Sequence, residues 1–327
     1  MRRNIAVVAG GDSSEIVVSL KSAQGISSFL DREKYDVYIA IVKRDEWYVI
    51  LPSGEHAAID RNGFSFVEHG IVRSFDFAYI TIHGTPGENG LLQGYFELIG
   101  LPYSSCNPMV SALTFNKYVC NTYLRAFGVS VAPSVRLRRG ENKSASEITG
   151  ELGLPLFVKP NDGGSSFGVT KVKTAEALQP AIEKAFAEGE EVIIERAVTG
   201  VEVTCGCYKT REKSVVFPLT EVVTGNEFFD FDAKYNGQSD EITPARIPEE
   251  CAQAIQRLTS EIYDILGAKG IIRIDYILPA DRRPVLLEIN TVPGMTGASF
   301  IPQQVRAAGL DIKDVMTDII DNELIKL

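Results

Sequence analysis

The sequence predicts an α/β protein of three domains, and three observations carry that expectation. Strand-like apolar runs alternate with helical patterns from Met1 to about Tyr103, glycine-rich loops follow strand ends, and two β-rich segments near the C-terminus read as the arms of one hairpin. In order, Ile5-Ala-Val-Val8 is a short buried strand, a helix runs from about Ser14 to Leu30, and Val37–Val42 and Phe77–Ile82 are further strands. That succession implies a parallel sheet wound with helices. Past Cys106, a helix around Asn116 to Phe127 meets a Gly128-to-Pro133 break, and strand Leu156–Lys159 feeds a glycine-rich loop. A helix over roughly Thr174 to Glu188 and strand Val192–Glu195 follow. Strands near Glu202–Tyr208 and Val215–Thr220, a polar aromatic loop from Gly225 to Gly237, and a helix from about Glu249 to Leu266 lead to the hairpin. The expected domains are residues 1–104, 105–195 and 196–327.

The hairpin arms are Ile271–Ile277 and Val285–Asn290, joined by the turn-like Pro279–Pro284. If the turn is centred between Asp281 and Arg282, Asp275 sits opposite Glu288 and Arg273 opposite Asn290. Period-two alternation then places all four on one face. Two carboxylates directly across a strand pair repel unless something positive lies between them. Carboxylate and amide oxygens without thiolate or imidazole suit Mg²⁺, which is usually held by one or two carboxylates plus substrate phosphates. The bland alternative is a solvated sheet face.

Three loops are candidate ligand sites. Lys159-Pro-Asn-Asp-Gly-Gly-Ser-Ser-Phe-Gly168 follows a strand, and its glycines and serines let backbone N–H groups approach phosphate oxygens. It is neither a Walker A loop nor a dinucleotide G-x-G-x-x-G. Lys159, on an otherwise apolar strand, favours phosphate over a plain connection. Gly10-Gly-Asp-Ser-Ser-Glu15 lies at the carboxyl end of the first strand, where parallel sheets hold ligands, although Glu15 alone could serve the helix dipole. His83-Gly-Thr-Pro-Gly-Glu-Asn-Gly90 also follows a strand, which makes His83 a better site candidate than His56 or His69.

Composition narrows the class. With 327 residues, 45% of them hydrophobic and 23% charged, the chain suits an ordinary soluble protein of two or three domains. The apolar run behind Met1-Arg-Arg-Asn4 is too short for a signal peptide and reads as a first strand, so neither membrane nor secretion is expected. Five scattered cysteines, an odd count without zinc spacing, imply reduced thiols and a cytoplasmic protein, with Cys205 and Cys207 in packing roles. A net charge of -10 argues against nucleic acid as a partner, but not against a nucleotide.

These pieces, in this order, resemble the ATP-grasp ligases and, within them, the D-alanine:D-alanine ligase family, over essentially the whole chain. The marks are Gly10–Glu15 with Val18-Ser19, His83-Gly with Gly87-Glu88, Leu101-Pro-Tyr-Ser104, Lys159-Pro with Gly164-Ser-Ser166, Ile194-Glu195, Asp232-Ala-Lys-Tyr235, Arg273-Ile-Asp275 and Leu287–Thr296. The last two are the specific ones. The resemblance implies an ATP-grasp fold with a Rossmann-like N-terminal domain and MgATP between the central and C-terminal domains. By it, Lys117 and Lys159 would contact phosphates under the flap of Gly164, Ser165 and Ser166. The backbone around Glu195, Arg196 and Val198 would read adenine, Glu202 would hold ribose, and Lys234 would reach the γ-phosphate. Asp275, Glu288 and Asn290 would bind two Mg²⁺ or Mn²⁺.

The implied reaction forms a D-alanyl phosphate and then D-alanyl-D-alanine for peptidoglycan precursors. Glu15 would bind the first ammonium, with His83 near its carboxylate. Arg273 and the Gly294 N–H would stabilise the tetrahedral oxyanion, a role in which one donor is worth about 3 kcal/mol. Ser299 with Arg273 would hold the second carboxylate beside Phe300. Tyr235, with Ser165 and Glu15, goes in the family with dipeptide rather than depsipeptide synthesis. The chain departs from the family pattern at Ile16-Val-Val18, Thr85-Pro86, Asn89, Arg196 and Phe300, without losing a named ligand. No residue is assigned as general base for the second amine. A homodimer is expected from the family. The alternatives are a D-alanine:D-lactate-type ligase and a nucleotide binder without chemistry.

Overall fold

β1 (Arg3–Gly10) is buried from Ile5 onward, as a central parallel strand must be when both faces are covered. It pairs in parallel with β2 (Tyr35–Val42) on one side and β7 (Phe77–Ile80) on the other. The sheet is not parallel throughout, however. The tight turn in which Lys43 and Glu46 exchange backbone hydrogen bonds returns the chain as antiparallel β3 (Trp47–Ile50), which pairs with antiparallel β4 (His56–Ala58). A turn that short has no room for a crossover helix. β5 (Ser65–Glu68) and β6 (Ile71–Ser74) form a separate two-stranded ribbon. The computed structural model describes residues 2–13, 15–164, 167–224 and 239–325.

α1 (Ile16–Phe29) buries Ser19, Ser22, Ala23 and Ile26, while α2 (Leu91–Ile99) buries Leu92, Gln93 and Phe96. α3 (Pro108–Phe115) and α4 (Lys117–Arg125) start on asparagine caps, Asn107 and Asn116, whose side chains accept from Val110 N–H and Val119 N–H. The second sheet is antiparallel, ordered β10-β9-β11-β8 from β8 (Ser134–Arg138), β9 (Leu156–Pro160), β10 (Thr170–Val172) and β11 (Glu191–Arg196). α5 (Ala145–Leu152) and α6 (Leu178–Phe186) cover it, with Ile148, Leu152, Leu178 and Ile182 packed on Val158, Val192 and Ile194. The helix expected from Thr174 begins with a 3-10 turn, Ala175–Ala177, and Pro180 falls in the first turn of α6, where a missing N–H is harmless.

The third sheet runs β15-β14-β12-β16-β17, comprising β12 (Val201–Lys209), β14 (Thr220–Thr224), β15 (Ser239–Ile242), β16 (Ile272–Leu278) and β17 (Val285–Asn290), with β13 (Ser214–Val216) paired to β12. The single strand expected over Val215–Thr220 is therefore two, β13 and β14. α7 (Glu249–Leu266) packs Cys251, Ile255 and Ile262 against Cys205, Cys207, Ile272 and Ile274, and Cys120 and Leu124 of α4 join the same core. All five cysteines are buried and free, and burial pushes the Cys205 and Cys207 thiols up to about 12, as packing residues. α8 (Phe300–Ala307) and α9 (Ile312–Leu324) bring Val305, Met316 and Ile320 onto Val7, Ala23 and Ile26, which joins the first layer to the third.

That junction has a tight point. A Cβ on Gly25 of α1 would lie 2.2 Å from the Met295 carbonyl oxygen, a backbone atom that cannot swing aside. Gly25→Ala is expected to destabilise the protein by about 1–3 kcal/mol, read as a lower denaturant midpoint with an unchanged slope. A midpoint equal to the unsubstituted protein's would show that the two layers are not held this closely.

Candidate active site

The register of β16 and β17 places Arg273 opposite Asn290 and Asp275 opposite Glu288, as the alternation argument expects. Nearer the turn the register shifts by one between Asp275 and Tyr276, so the simple pairing ends there. Arg273 donates to both oxygens of Asp275, Nε at 2.9 Å and Nη2 at 2.8 Å, and Asn290 Nδ2 donates to Asp275 at 3.2 Å. Lys117 Nζ lies 3.8 Å from Glu288. Cationic side chains thus flank the opposed carboxylates. Among the described residues, no cluster of three or more His, Cys, Asp or Glu is placed to hold a metal. The oxygen donors of Asp275, Glu288 and Asn290 fit a hard divalent cation that completes its shell with substrate phosphate and water.

Lys117 is the first residue of α4, and its ammonium also donates to the Gly163 carbonyl at 2.5 Å. Lys159, on β9 opposite Ile193, is buried and pairs with Glu195 at 2.6 Å, and Asn121 donates to the other Glu195 oxygen. Arg196 ends β11 with its N–H on the Pro133 carbonyl and its Nε on the Leu152 carbonyl. Val198 and Glu202 line the same cavity wall, Glu202 from the start of β12 opposite Ile277.

On the other side, the loop after β1 carries Glu15 at the start of α1, buried. A Cβ on Gly164 would lie 2.9 Å from both Glu15 carboxylate oxygens, so the loop backbone rests directly on that carboxylate. His83 is buried three residues past β7, which ends at Ile80 rather than at the expected Ile82, and its Nε2 lies 3.3 Å from the Ser22 hydroxyl. Burial holds the imidazole below its ordinary value, and Arg273 works the same way against an opposing pull from Glu15. Gly84, with φ of 71°, turns its N–H to Glu88 at 2.7 Å. Burial, and next the nearby Glu15, push the Glu88 carboxyl up to about 8.

At the far end, the Phe300 ring centre lies 5.2 Å from the Arg273 guanidinium carbon. Ser299 accepts from Thr296 N–H at 3.0 Å, and a Cβ on Gly294 would come within 3.1 Å of the Ser299 hydroxyl. Two side chains here escape sequence reasoning. Glu241 of β15 accepts from Gln303 of α8 at 2.5 Å, and burial raises its carboxyl above the usual range. Neither stands in a motif, and only the fold brings β15 to α8.

One cavity of about 1810 Å³ is lined by Glu15, His83, Lys117, Lys159, Glu195 and the hairpin face together. The expectations placed on Ser165, Ser166, Lys234 and Tyr235 fall outside the described residues. No helix among the described residues is long and apolar enough to cross a membrane.

Comparison with known proteins gives the cavity its context. A family model for the D-Ala D-Ala ligase N-terminus matches residues 4–106, and one for the C-terminus matches residues 123–321. The D-alanine--D-alanine ligase of Parabacteroides distasonis is 74% identical over 324 residues, covering 99% of this chain and 98% of that protein. The Phocaeicola vulgatus protein of the same name is 65% identical, covering 99% and 100%. Among solved structures, D-alanyl-alanine synthetase A from Vibrio cholerae superposes with a TM-score of 0.88 at 29% identity, covering 99% of each chain. The VanG D-Ala:D-Ser ligase from Enterococcus faecalis has a TM-score of 0.86 at 33% identity, covering 100% of this chain and 99% of that one. With both halves matched and close relatives spanning its length, the chain belongs to the D-alanine–D-alanine ligase family, ADP-forming ATP-grasp enzymes that join two D-alanines for peptidoglycan synthesis.

Proposed function

We propose that the reaction runs through a D-alanyl phosphate held in the cavity between the second and third sheets and the first-layer loops. The observation that carries this reading is the convergence of Lys117, Lys159 and the hairpin carboxylates on one side with Glu15 and His83 on the other. Glu15 takes the ammonium of the first D-alanine, and His83 lies by its carboxylate. A carboxylate oxygen of that D-alanine attacks the γ-phosphorus, and ADP leaves. The amine of a second D-alanine then attacks the acyl carbon, loses a proton, and expels phosphate. Arg273 and the Gly294 N–H meet the oxyanion that forms in between, with Arg273 steered by Asp275 and seated on Phe300. Ser299 and Arg273 hold the second carboxylate.

Lys117 and Lys159 contact phosphates beside Gly164, while Glu195, Arg196, Val198 and Glu202 border the nucleoside; phosphate roles for Ser165, Ser166 and Lys234 rest on the family resemblance alone. Asp275, Glu288 and Asn290 hold two Mg²⁺ or Mn²⁺ ions, which when bound neutralise phosphate charge and orient the γ-phosphoryl group. The three-domain division and a cytoplasmic location belong to the same reading, the latter supported by the buried free cysteines. So does a homodimer: Leu91 and Leu98, 64% and 89% exposed, share a face of α2 near exposed Met109 of α3, an apolar surface suited to a second copy. Light scattering at the 35.8 kDa mass of a single chain would overturn the dimer.

A second reading concerns only the second substrate. A solved relative at 33% identity is a D-Ala:D-Ser ligase, and the Phe300, Ser299 and Gln303 end of the cavity is where such a choice would be made. Phosphate release from MgATP with D-alanine alone, with the product identified by mass, is expected to give D-alanyl-D-alanine. An ester or mixed product when D-lactate or D-serine is added would move the reading.

For the metal face, Asp275→Asn combined with Glu288→Gln is expected to abolish turnover while the protein stays folded by circular dichroism. Undiminished activity would sink the assignment. The raised Glu88 carboxyl predicts a pH effect on the substrate-free protein. Between the ordinary carboxylate range and about 8 the folded state binds the extra proton, so stability falls as pH rises through that window. Glu88→Gln removes the titrating group and keeps an acceptor for Gly84 N–H. Its melting temperature should exceed that of the unsubstituted protein at pH of about 8.5, with the gap closing toward pH of about 5. A gap that does not vary with pH contradicts the assignment.

A further inference from the structure

The start of α4 is held in an unusual way. Its first N–H groups do not face the cavity: Lys117 N–H donates to the Asn161 carbonyl at 3.2 Å, Tyr118 N–H to Asn161 Oδ1 at 2.9 Å, and Val119 N–H to Asn116 Oδ1 at 3.0 Å. Helix N-termini must find acceptors for such donors, and here two asparagines supply them. Asn161 is fully buried and stands between Lys159 and the glycine loop, so the same residue that caps α4 begins the loop.

Both asparagine amides then converge on one oxygen. Asn116 Nδ2 and Asn161 Nδ2 donate to Glu191 Oε2 at 3.3 and 2.8 Å, while Glu191 Oε1 accepts from Arg138 Nε at 2.9 Å and lies 3.6 Å from Arg136. Glu191 opens β11, directly opposite Arg138 of β8, and its carbonyl accepts from Asn161 N–H at 2.9 Å. Only a carboxylate can do this, because it accepts on both oxygens and donates on neither. Glutamine there would present an NH₂ group either to the two amides or to the two arginines.

We propose that Glu191 is a positioning residue for the phosphate end of the nucleotide subsite. Through Asn116 and Asn161 it sets where the Lys117 ammonium stands relative to the Gly163 carbonyl and the loop that follows. The inference rests on the reading of Lys117 as a phosphate contact. Glu191 touches no substrate itself; its effect passes through the α4 start and the loop start, which it ties to the second sheet.

The test uses the full chain with Glu191→Gln and, separately, Asn161→Ala, measuring KM for ATP and for D-alanine, kcat, and the rise in melting temperature on adding MgATP. Both variants should raise KM for ATP about tenfold, the loss expected from one charge-assisted hydrogen bond, and shrink the MgATP-induced rise. KM for D-alanine should stay within about twofold. Unchanged KM for ATP in both variants overturns the proposal. So does an equal rise for both substrates, or a loss of activity that tracks only the melting temperature of the ligand-free protein. If the unsubstituted chain binds ATP without turning it over, the functional reading fails and takes this inference with it, a result distinct from either of those.

Discussion

Asp275 and Glu288 stand directly across β16 and β17, and most of the site can be understood as the means by which two such charges coexist. Left alone, opposed carboxylates would weaken the pairing of β17, the edge strand of the third sheet, with β16. Arg273 meets Asp275 with two hydrogen bonds and Lys117 approaches Glu288, so an arginine from the same strand and a lysine from α4 are drawn to one face. The opposite face of β16 is apolar: Ile272, Ile274 and Tyr276 sit in the core, with the Tyr276 hydroxyl 2.9 Å from Thr259 of α7. A rigid, dry back therefore supports a charged front, and the geometry of the front follows from strand register rather than from loops.

Much of this was legible in the residues themselves. The β16–β17 pairing follows from alternation about a proline-flanked turn, and α7 is bounded on both sides by its own signals: Pro248 before it, and Gly267 after it with a φ of 61°. The register shift beyond Asp275 left no compositional trace, since one extra residue in a strand looks like any other. β3 to β6 are three or four residues long, below what a periodicity can register, and β3 and β4 turn an expected parallel sheet into a mixed one. α8 was hidden because Pro302 in its first turn reads as a breaker.

The same division holds within the site. Glu15, His83, Lys159 and the hairpin quartet belong to short motifs, so their chemistry can be read where they stand, whereas Lys117 is marked only by the family resemblance. Glu191, Glu241 and Gln303 act through partners supplied by other strands and helices, and nothing local marks them. Asn161 reads as turn chemistry in Pro-Asn-Asp-Gly, yet it is buried and caps a helix. Residues that hold others in place carry their meaning in the tertiary contact alone.

The resting of Gly164 on Glu15 joins a loop of the second layer to the first helix of the chain, while Lys117 reaches Glu288 near the other end. Contacts so far apart in sequence give nothing back until the long loops between them have closed. A ribosome that has released the first helix has released Glu15 but no site. Ser299, Phe300 and Gln303, the last walls of the cavity in chain order, follow Glu15 by about 280 residues. The nascent chain therefore has no partial version of this enzyme to offer, and substrate can favour only the finished fold.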